Sequence, residues 1–192
     1  MIIIDSYKCF SIKELLEIYT EDELFSIFSG FCCTKNYEIQ EFLRNSAIEF
    51  NKKHQSITYV IFNNKKEIEG YFSLSIKAIN IQGDILSKTE LKKVLRIADL
   101  EMENNNINPA AYLIAQVGKT NNSNLNIDLL FRFIDYNIGV AQETCGGVVE
   151  FLEAENSEKL IDIYKERGFK TFNIRKSKRG EDRKLVQMYR LI

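Results

Sequence analysis

Residues 110–154 constrain this chain more than any other stretch. Ala110-Ala111-Tyr112-Leu113-Ile114-Ala115-Gln116-Val117 is almost continuously apolar, which reads as a central strand covered on both faces. A polar turn follows at 120–124. Leu130, Ile134, Ile138 and Ala141 then share one stripe of a helix over about 126–142, and Gly146-Gly147 ends it. Residues 148–154 read as a second strand. Two strands joined through a helix pair in parallel with a right-handed crossover. The chain is thereby committed to a sheet with helices layered against it.

The flanks add to that sheet. Ser11-x-x-Glu14 and Thr20-x-x-Glu23 are capping boxes that open two short helices. Ile39, Phe42, Leu43, Ala47 and Phe50 carry a helical spacing over 37–53. Residues 57–62 and 68–79 form an antiparallel pair around Asn63-Asn64-Lys65-Lys66. In the return strand Tyr71, Ser73, Ser75 and Lys77 alternate with Phe72, Leu74, Ile76 and Ala78, so one face is expected apolar and the other polar. Residues 88–103 read as an amphipathic helix through Leu91, Val94, Leu95, Ala98 and Met102. Residues 157–167 form a helix that Gly168 closes. Residues 169–174 and 185–191 close the sheet as a hairpin across the polar stretch 175–184. The expectation is a single α/β domain over 1–192, with one mixed sheet and helices on both faces.

Composition excludes several alternatives. With 192 residues, 45% of them hydrophobic, and a single proline, the chain can bury a core without staples and is no linker or fibrous sequence. A net charge of −1 sets up no global field toward nucleic acid or membrane. Cys9, Cys32, Cys33 and Cys145 form no C-x-x-C pair, and His54 stands alone. No metal cage is expected, and the cysteines read as reduced, mostly buried thiols. No segment approaches the ~20 apolar residues of a membrane span. Asp5 cuts off the apolar start, which leaves it too short for a signal peptide. A cytoplasmic location is expected.

Three places could carry chemistry. The first is Asn121-Asn122-Ser123-Asn124-Leu125-Asn126, at the entry of a helix. A helix N-terminus offers unpaired N–H groups to phosphate, and asparagine tolerates the left-handed backbone that cradles anions. The same run also reads as a plain surface turn. The second is Gly118, late in the central strand. A glycine there marks a bulge or a close backbone approach, or simply the strand's end. The third is Ile163-Tyr164-Lys165-Glu166-Arg167-Gly168-Phe169. Leu160 and Tyr164 lie four apart, so one face can carry a phenol inward, as a core tyrosine also would.

Ile163-Tyr164-x-x-x-Gly168-Phe169 resembles the aromatic-Tyr-x-x-x-Gly-Phe signature of the GNAT superfamily of N-acetyltransferases, and Ala115-Gln116-Val117-Gly118 resembles that family's fourth strand. Phe31-Cys32-Cys33, the helix over 39–47, Thr58-Tyr59-Val60 and Gly70-Tyr71-Phe72-Ser73-Leu74-Ser75 resemble the subgroup that includes acetyltransferase toxins. The likeness runs from about residue 28 to the C-terminus and rests on the order and spacing of its motifs. It implies acetyl-CoA as co-substrate. The pyrophosphate would lie at the entry of the 126–142 helix, against Asn122, Asn124, Leu125 and Asn126. The pantetheine would lie along Val117, Gly118 and Lys119. Asn156 and Ser157 stand where many members contact the coenzyme. The usual loop has glycines where this chain has Asn124 and Asn126.

Acyl transfer from a thioester to an amine sets three demands. The amine, with a pKa of about 10.4 when free, must lose its proton, and the leaving thiolate, at about 8.5, can take one from a phenol near 10. The developing oxyanion needs a donor, which a strand N–H at Val117 could supply. Tyr164 fits the acid. The resemblance implies direct transfer in a ternary complex, without an acyl-enzyme. Glu153 is a candidate base, an ordered water is another, and Glu153 also reads as a strand-end carboxylate paired with a lysine. Tyr71 and Ser73 are candidates to line the acceptor site. The expected acceptor is a small-molecule or protein amine ahead of tRNA, and a homodimer is left open. Toxin-like relatives use basic patches on tRNA. Here residues 165–184 hold nine lysines and arginines against three acids, which reads equally as a solvated face. The rival reading is a catalytically silent module of the same fold that binds acyl-CoA or a protein.

Overall fold

The computed structural model describes residues 1–176 and 183–192. The strand order is β1-β2-β3-β4-β7-β8-β10-β9, with a separate β5-β6 pair. The strands are β1 (Ile2–Ile4), β2 (Tyr7–Ser11), β3 (Ile57–Phe62), β4 (Ile68–Ala78), β5 (Ile81–Gln82), β6 (Asn106–Ile107), β7 (Ala110–Lys119), β8 (Val149–Glu155), β9 (Lys170–Lys176) and β10 (Lys184–Leu191). The helices are α1 (Ile12–Leu16), α2 (Glu21–Ser29), α3 (Tyr37–Glu41), α4 (Ala47–Lys52), α5 (Lys88–Ala98), α6 (Ile127–Cys145) and α7 (Glu158–Lys165). The chain divides into two compact units, Met1–Ser75 with Ala115–Ala141 and Ile76–Ile114 with Gln142–Ile192. Among the described residues no helix is long and apolar enough to cross a membrane.

In the first unit both capping boxes form as the sequence predicts. Ser11 Oγ accepts from Glu14 N–H, and Glu14 reaches back to Ser11 N–H at 2.8 Å; Thr20 and Glu23 do the same. The helix expected over 37–53 contains a π turn at Phe42–Ser46. The extra residue shifts the buried face, so Ile48 is 2% exposed while Phe50, expected inside, is 37% exposed. The antiparallel pair β3–β4 runs from Ile57↔Leu74 to Phe62↔Ile68. Its expected division into an apolar and a polar face fails: residues 69–73 are all buried, and Ile76 on the supposed apolar face is 60% exposed. Ser73 tolerates burial because its Oγ meets Thr58 Oγ1 at 2.7 Å. The hairpin β1–β2, turning at Asp5 with φ 53, was not expected. A three-residue strand holds too few residues for alternation to show.

In the second unit β7 pairs with β8 in parallel, Tyr112↔Glu150 through Ile114↔Leu152, as the 110–154 pattern requires. β10 pairs antiparallel with both β8 and β9. The pair β5–β6 is too short to leave a periodic signal. The helix expected over 88–103 stops at Ala98, because Asp99 takes a left-handed conformation at φ 49. Met102, expected on its stripe, is 39% exposed. The thiols also differ from expectation: none of the four is in a disulfide, but only Cys9 is buried, Cys32 and Cys33 are half-buried, and Cys145 is exposed.

Candidate functional site

The first unit holds the loop that enters α6. Its glycine, Gly118, is buried and packed from the side. A Cβ there would stand 2.3 Å from Ile39 Cγ2 and 3.1 Å from Tyr71 Cε1. Side chains of the chain itself therefore require this glycine, the close approach being that of Ile39 and Tyr71. Val117 and Lys119 flank it, half-buried. Lys119 turns its Nζ back onto Leu125 O. Tyr71 and Ser73, the acceptor-site candidates, are 0% exposed. Tyr71 donates to Ile39 O at 2.6 Å and Ser73 is held by Thr58, so neither offers an open surface to an acceptor.

The asparagines divide the work of the loop. Asn121 is tied to the Cys32–Thr34 segment: its N–H donates to Cys32 O at 2.6 Å, and its Oδ1 accepts from Thr34 N–H at 3.2 Å. Asn122 takes the left-handed backbone, φ 58. Asn124 and Asn126, where the resemblance led to an expectation of glycine, do not, so asparagine is not strained there. Asn126 caps α6, with Oδ1 accepting Leu129 N–H at 2.6 Å and its carbonyl accepting Leu130 N–H at 3.2 Å. Leu125 is fully buried.

Sequence reasoning missed Glu69. It is 6% exposed and its carboxylate lies inside this loop. Oε2 accepts from Ser123 Oγ at 2.7 Å and from Asn124 N–H at 2.9 Å, while Oε1 accepts from Asn63 Nδ2 at 2.9 Å. Burial raises its pKa, but the hydrogen bonds from Ser123, Asn63 and the Asn124 and Leu125 backbone outweigh that and hold it below the usual carboxylate range. The available signal was a charged residue directly before a glycine in a strand otherwise fit for burial.

The second unit holds the other candidates, in order along β8 and α7. Glu153 is committed: Oε1 accepts from Arg175 Nε and Gln187 Nε2, each at 2.7 Å, and Oε2 pairs with Arg175 Nη2. Burial raises its pKa, yet Arg175 and Gln187 together bring it below the ordinary value. A carboxylate so held is a poor proton acceptor. The alternative expectation was a lysine partner; the partner is an arginine, Arg175. Asn156 is exposed, and Ser157, at the N-cap of α7, makes no side-chain cap.

Tyr164 sits in the last turn of α7, half-buried, with its ring edge-on to Phe169 at 6.1 Å. Its pKa is raised by burial first; Arg167 opposes the shift and Glu155 adds to it. It stays protonated at neutral pH. The motif around it is a closed turn. Gly168, φ 83, donates to Lys165 O at 2.9 Å, and Phe169 N–H donates to Tyr164 O at 3.1 Å. Phe169 is 2% exposed beneath the Arg190 guanidinium, which stands 4.7 Å from its ring. Arg190 in turn pairs with buried Glu150 at 2.7 Å.

The basic stretch is largely neutralised where it is described. Lys165 meets Asp162 at 3.7 Å, Lys170 meets Glu90 at 2.7 Å, Arg175 holds Glu153 and Arg183 holds Glu155. Lys178, Arg179, Glu181 and Asp182 lie outside the described residues. Among the described residues no group of three or more His, Cys, Asp or Glu could hold a metal ion.

No family model matches this chain, and no curated protein matches it in sequence. Solved structures do match. AtaT complexed with acetyl-methionyl-tRNAfMet is similar with a TM-score of 0.65 and 17% identity, covering 94% of this chain and 93% of that one. A tyrosine-to-phenylalanine mutant of KacT gives 0.64 and 16% identity, over 95% and 94%. AtaTR bound with acetyl-CoA gives 0.60 and 16% identity, over 96% and 94%. The chain has the fold of these proteins, the GNAT acyltransferase fold that the motif order had suggested.

Proposed function

We propose that this chain is an acetyl-CoA-dependent N-acetyltransferase whose acceptor is the α-amino group of an aminoacyl-tRNA, with residues 1–192 acting as one catalytic domain. The observation that carries the reading is the chain-long likeness to AtaT in complex with acetyl-methionyl-tRNAfMet. That likeness moves tRNA ahead of the small-molecule or protein amine favoured by the sequence. Lys88, Lys92 and Arg96 add support. They are exposed, recur one turn apart on α5, and rim an open groove with Leu91 and Leu95, a spacing suited to phosphates.

Acetyl-CoA, when bound, supplies the activated thioester. The N-terminal turn of α6 and the loop Asn122–Asn126 hold its pyrophosphate in this reading. Asn126 is exposed and Ile127 half-buried at the entry of α6, and the Asn124 N–H there donates to Glu69. Val117–Lys119 meet the pantetheine, and the Val117 N–H faces the developing oxyanion. Asn156 and Ser157 complete the coenzyme contacts. Tyr164 donates its phenolic proton to the departing sulfur and regains one from solvent. For the amine's proton, the Arg175 pairing of Glu153 favours an ordered water over the carboxylate. A cytoplasmic location, where charged tRNA occurs, and a homodimer belong to the same proposal; fractionation and sedimentation velocity read them.

The silent-module reading is favoured by one observation, the carboxylate of Glu69 in the coenzyme loop. Incubation with acetyl-CoA and a set of charged tRNAs separates the two. Transfer releases free thiol and yields an N-acetylated aminoacyl ester. Acetyl-CoA binding without thiol release, against charged tRNAs and simple amines alike, overturns the enzyme. Thiol release with amines but never with charged tRNA overturns the acceptor alone.

A further inference from the structure

We propose that Glu69 is an internal anion that competes with the coenzyme's pyrophosphate at the entry to α6, and so sets how tightly this chain holds a phosphorylated acyl carrier. The inference rests on the coenzyme reading above. Backbone N–H groups at a helix entry are the donors that phosphate uses. Here the Asn124 N–H and the Ser123 hydroxyl already converge on Glu69 Oε2, at 2.9 and 2.7 Å. A second anion brought to the same donors meets a like charge.

Among the described residues, hydrogen bonds and not a cation hold that charge. The loop's only lysine, Lys119, spends its ammonium on Leu125 O. Nor can Glu69 easily withdraw. Its own carbonyl accepts Thr120 N–H at 3.0 Å. The next residue, Gly70, lies so close to β7 that a Cβ would stand 2.8 Å from Gly118 O. Asn63 holds the other carboxylate oxygen and cannot flip, because its Oδ1 accepts Lys65 N–H at 2.9 Å and Glu67 N–H at 3.0 Å. The arrangement accounts for a loop that needs no glycine at 124 or 126: its conformation is set by the internal carboxylate rather than by a ligand.

The test compares wild type with Glu69→Gln for three probes: coenzyme A, inorganic pyrophosphate and S-acetylpantetheine, which lacks phosphate. Removing one like charge beside the phosphates is expected to tighten coenzyme A and pyrophosphate by at least about tenfold, with S-acetylpantetheine unchanged. Because the amide introduced by Glu69→Gln would aim an N–H at the Asn63 amide, the double variant Glu69→Gln, Asn63→Ala is measured beside it, and melting curves identify which variant is folded. Unchanged or weaker pyrophosphate binding in the folded variant overturns the inference. An equal gain for S-acetylpantetheine overturns it too, since that would mark a general loosening of the loop. If neither protein binds coenzyme A or S-acetylpantetheine, the coenzyme reading fails instead, and pyrophosphate alone decides the role of Glu69.

Discussion

The turn that closes α7 is built from neighbours in sequence, whereas the loop that opens α6 is built from residues far apart in the chain. In the first, Gly168 and Phe169 reach back only three to five residues, to Lys165 O and Tyr164 O. In the second, Asn124 is held by Glu69, 55 residues away, and Asn121 by Cys32, 89 residues away. The turn keeps the motif that a sequence shows. The loop over 119–126 contains no glycine and is tied to a buried carboxylate. A local constraint leaves a motif; a distant one leaves only an oddly placed charge.

The largest effect expected on either region is kinetic. Tyr164→Phe should lower turnover roughly 10²–10⁴-fold, the usual worth of a positioned acid. Acetyl-CoA affinity should hold, because the phenyl ring still meets Phe169, and melting should change little. Turnover within about threefold of wild type would take Tyr164 out of the mechanism and leave it as a packing residue.

Glu69→Ala probes the distant constraint. It strips partners from Ser123, Asn124 and Asn63, at a cost of about 3 kcal/mol, or a melting temperature lower by roughly 6–12 °C for a chain of this size. The pH dependence has a defined sign. Because the folded-state pKa is depressed, the stability Glu69 contributes is fully present above its unfolded value, near about 4.3. It is lost as pH falls through the lower folded value. Wild type and Glu69→Ala should therefore converge in stability at acid pH. Parallel curves down to the lowest pH measured would mean that the charge does not hold the loop.

Two glycines set the regions against each other. Gly118→Ala drives a methyl into Ile39 and should cost about 1–3 kcal/mol by overpacking. Trimming the neighbour with Ile39→Ala should recover part of that loss, a coupling that a double-mutant cycle reads. Gly168→Ala should cost about 1–2 kcal/mol through backbone strain. Its Cβ would have room, with Arg190 Cδ 3.6 Å away, so trimming a neighbour should recover nothing. Additivity at Gly118, or recovery at Gly168, would erase the distinction between distant and local constraint.

The smallest effect falls on Glu153. As the partner of Arg175, Glu153→Gln should lower stability by about 1 kcal/mol and leave turnover within about threefold. A loss of a hundredfold, with a shifted pH profile, would restore it as the base.

Legibility followed the same division. The capping boxes at Ser11 and Thr20, the parallel pair around α6 and the Tyr164–Phe169 turn could be read directly, because each is a pattern of close neighbours. The π turn at Phe42–Ser46 could not, since one added residue leaves the composition of a helix unchanged while it rotates Phe50 outward. Tyr71 and Ser73 misled because alternation predicts two faces without saying what covers them. At Tyr71 the cover is Phe31, Phe42 and Ile39.

By itself, then, the sequence determined the order of the longer elements, the parallel pairing around α6 and the place of Tyr164 in the turn that closes α7, since apolar periodicity, caps and a left-handed glycine act within a few residues. Only the tertiary structure decided which charges are spent and which glycines are obligatory. Glu153 is neutralised by Arg175, Gly118 is demanded by Ile39, and Glu69 lies among the donors of a loop more than fifty residues away. Each depends on a contact whose two halves carry no mutual signature along the chain. The free energy of a buried carboxylate is set by the donors that surround it, and those exist only once the chain has folded.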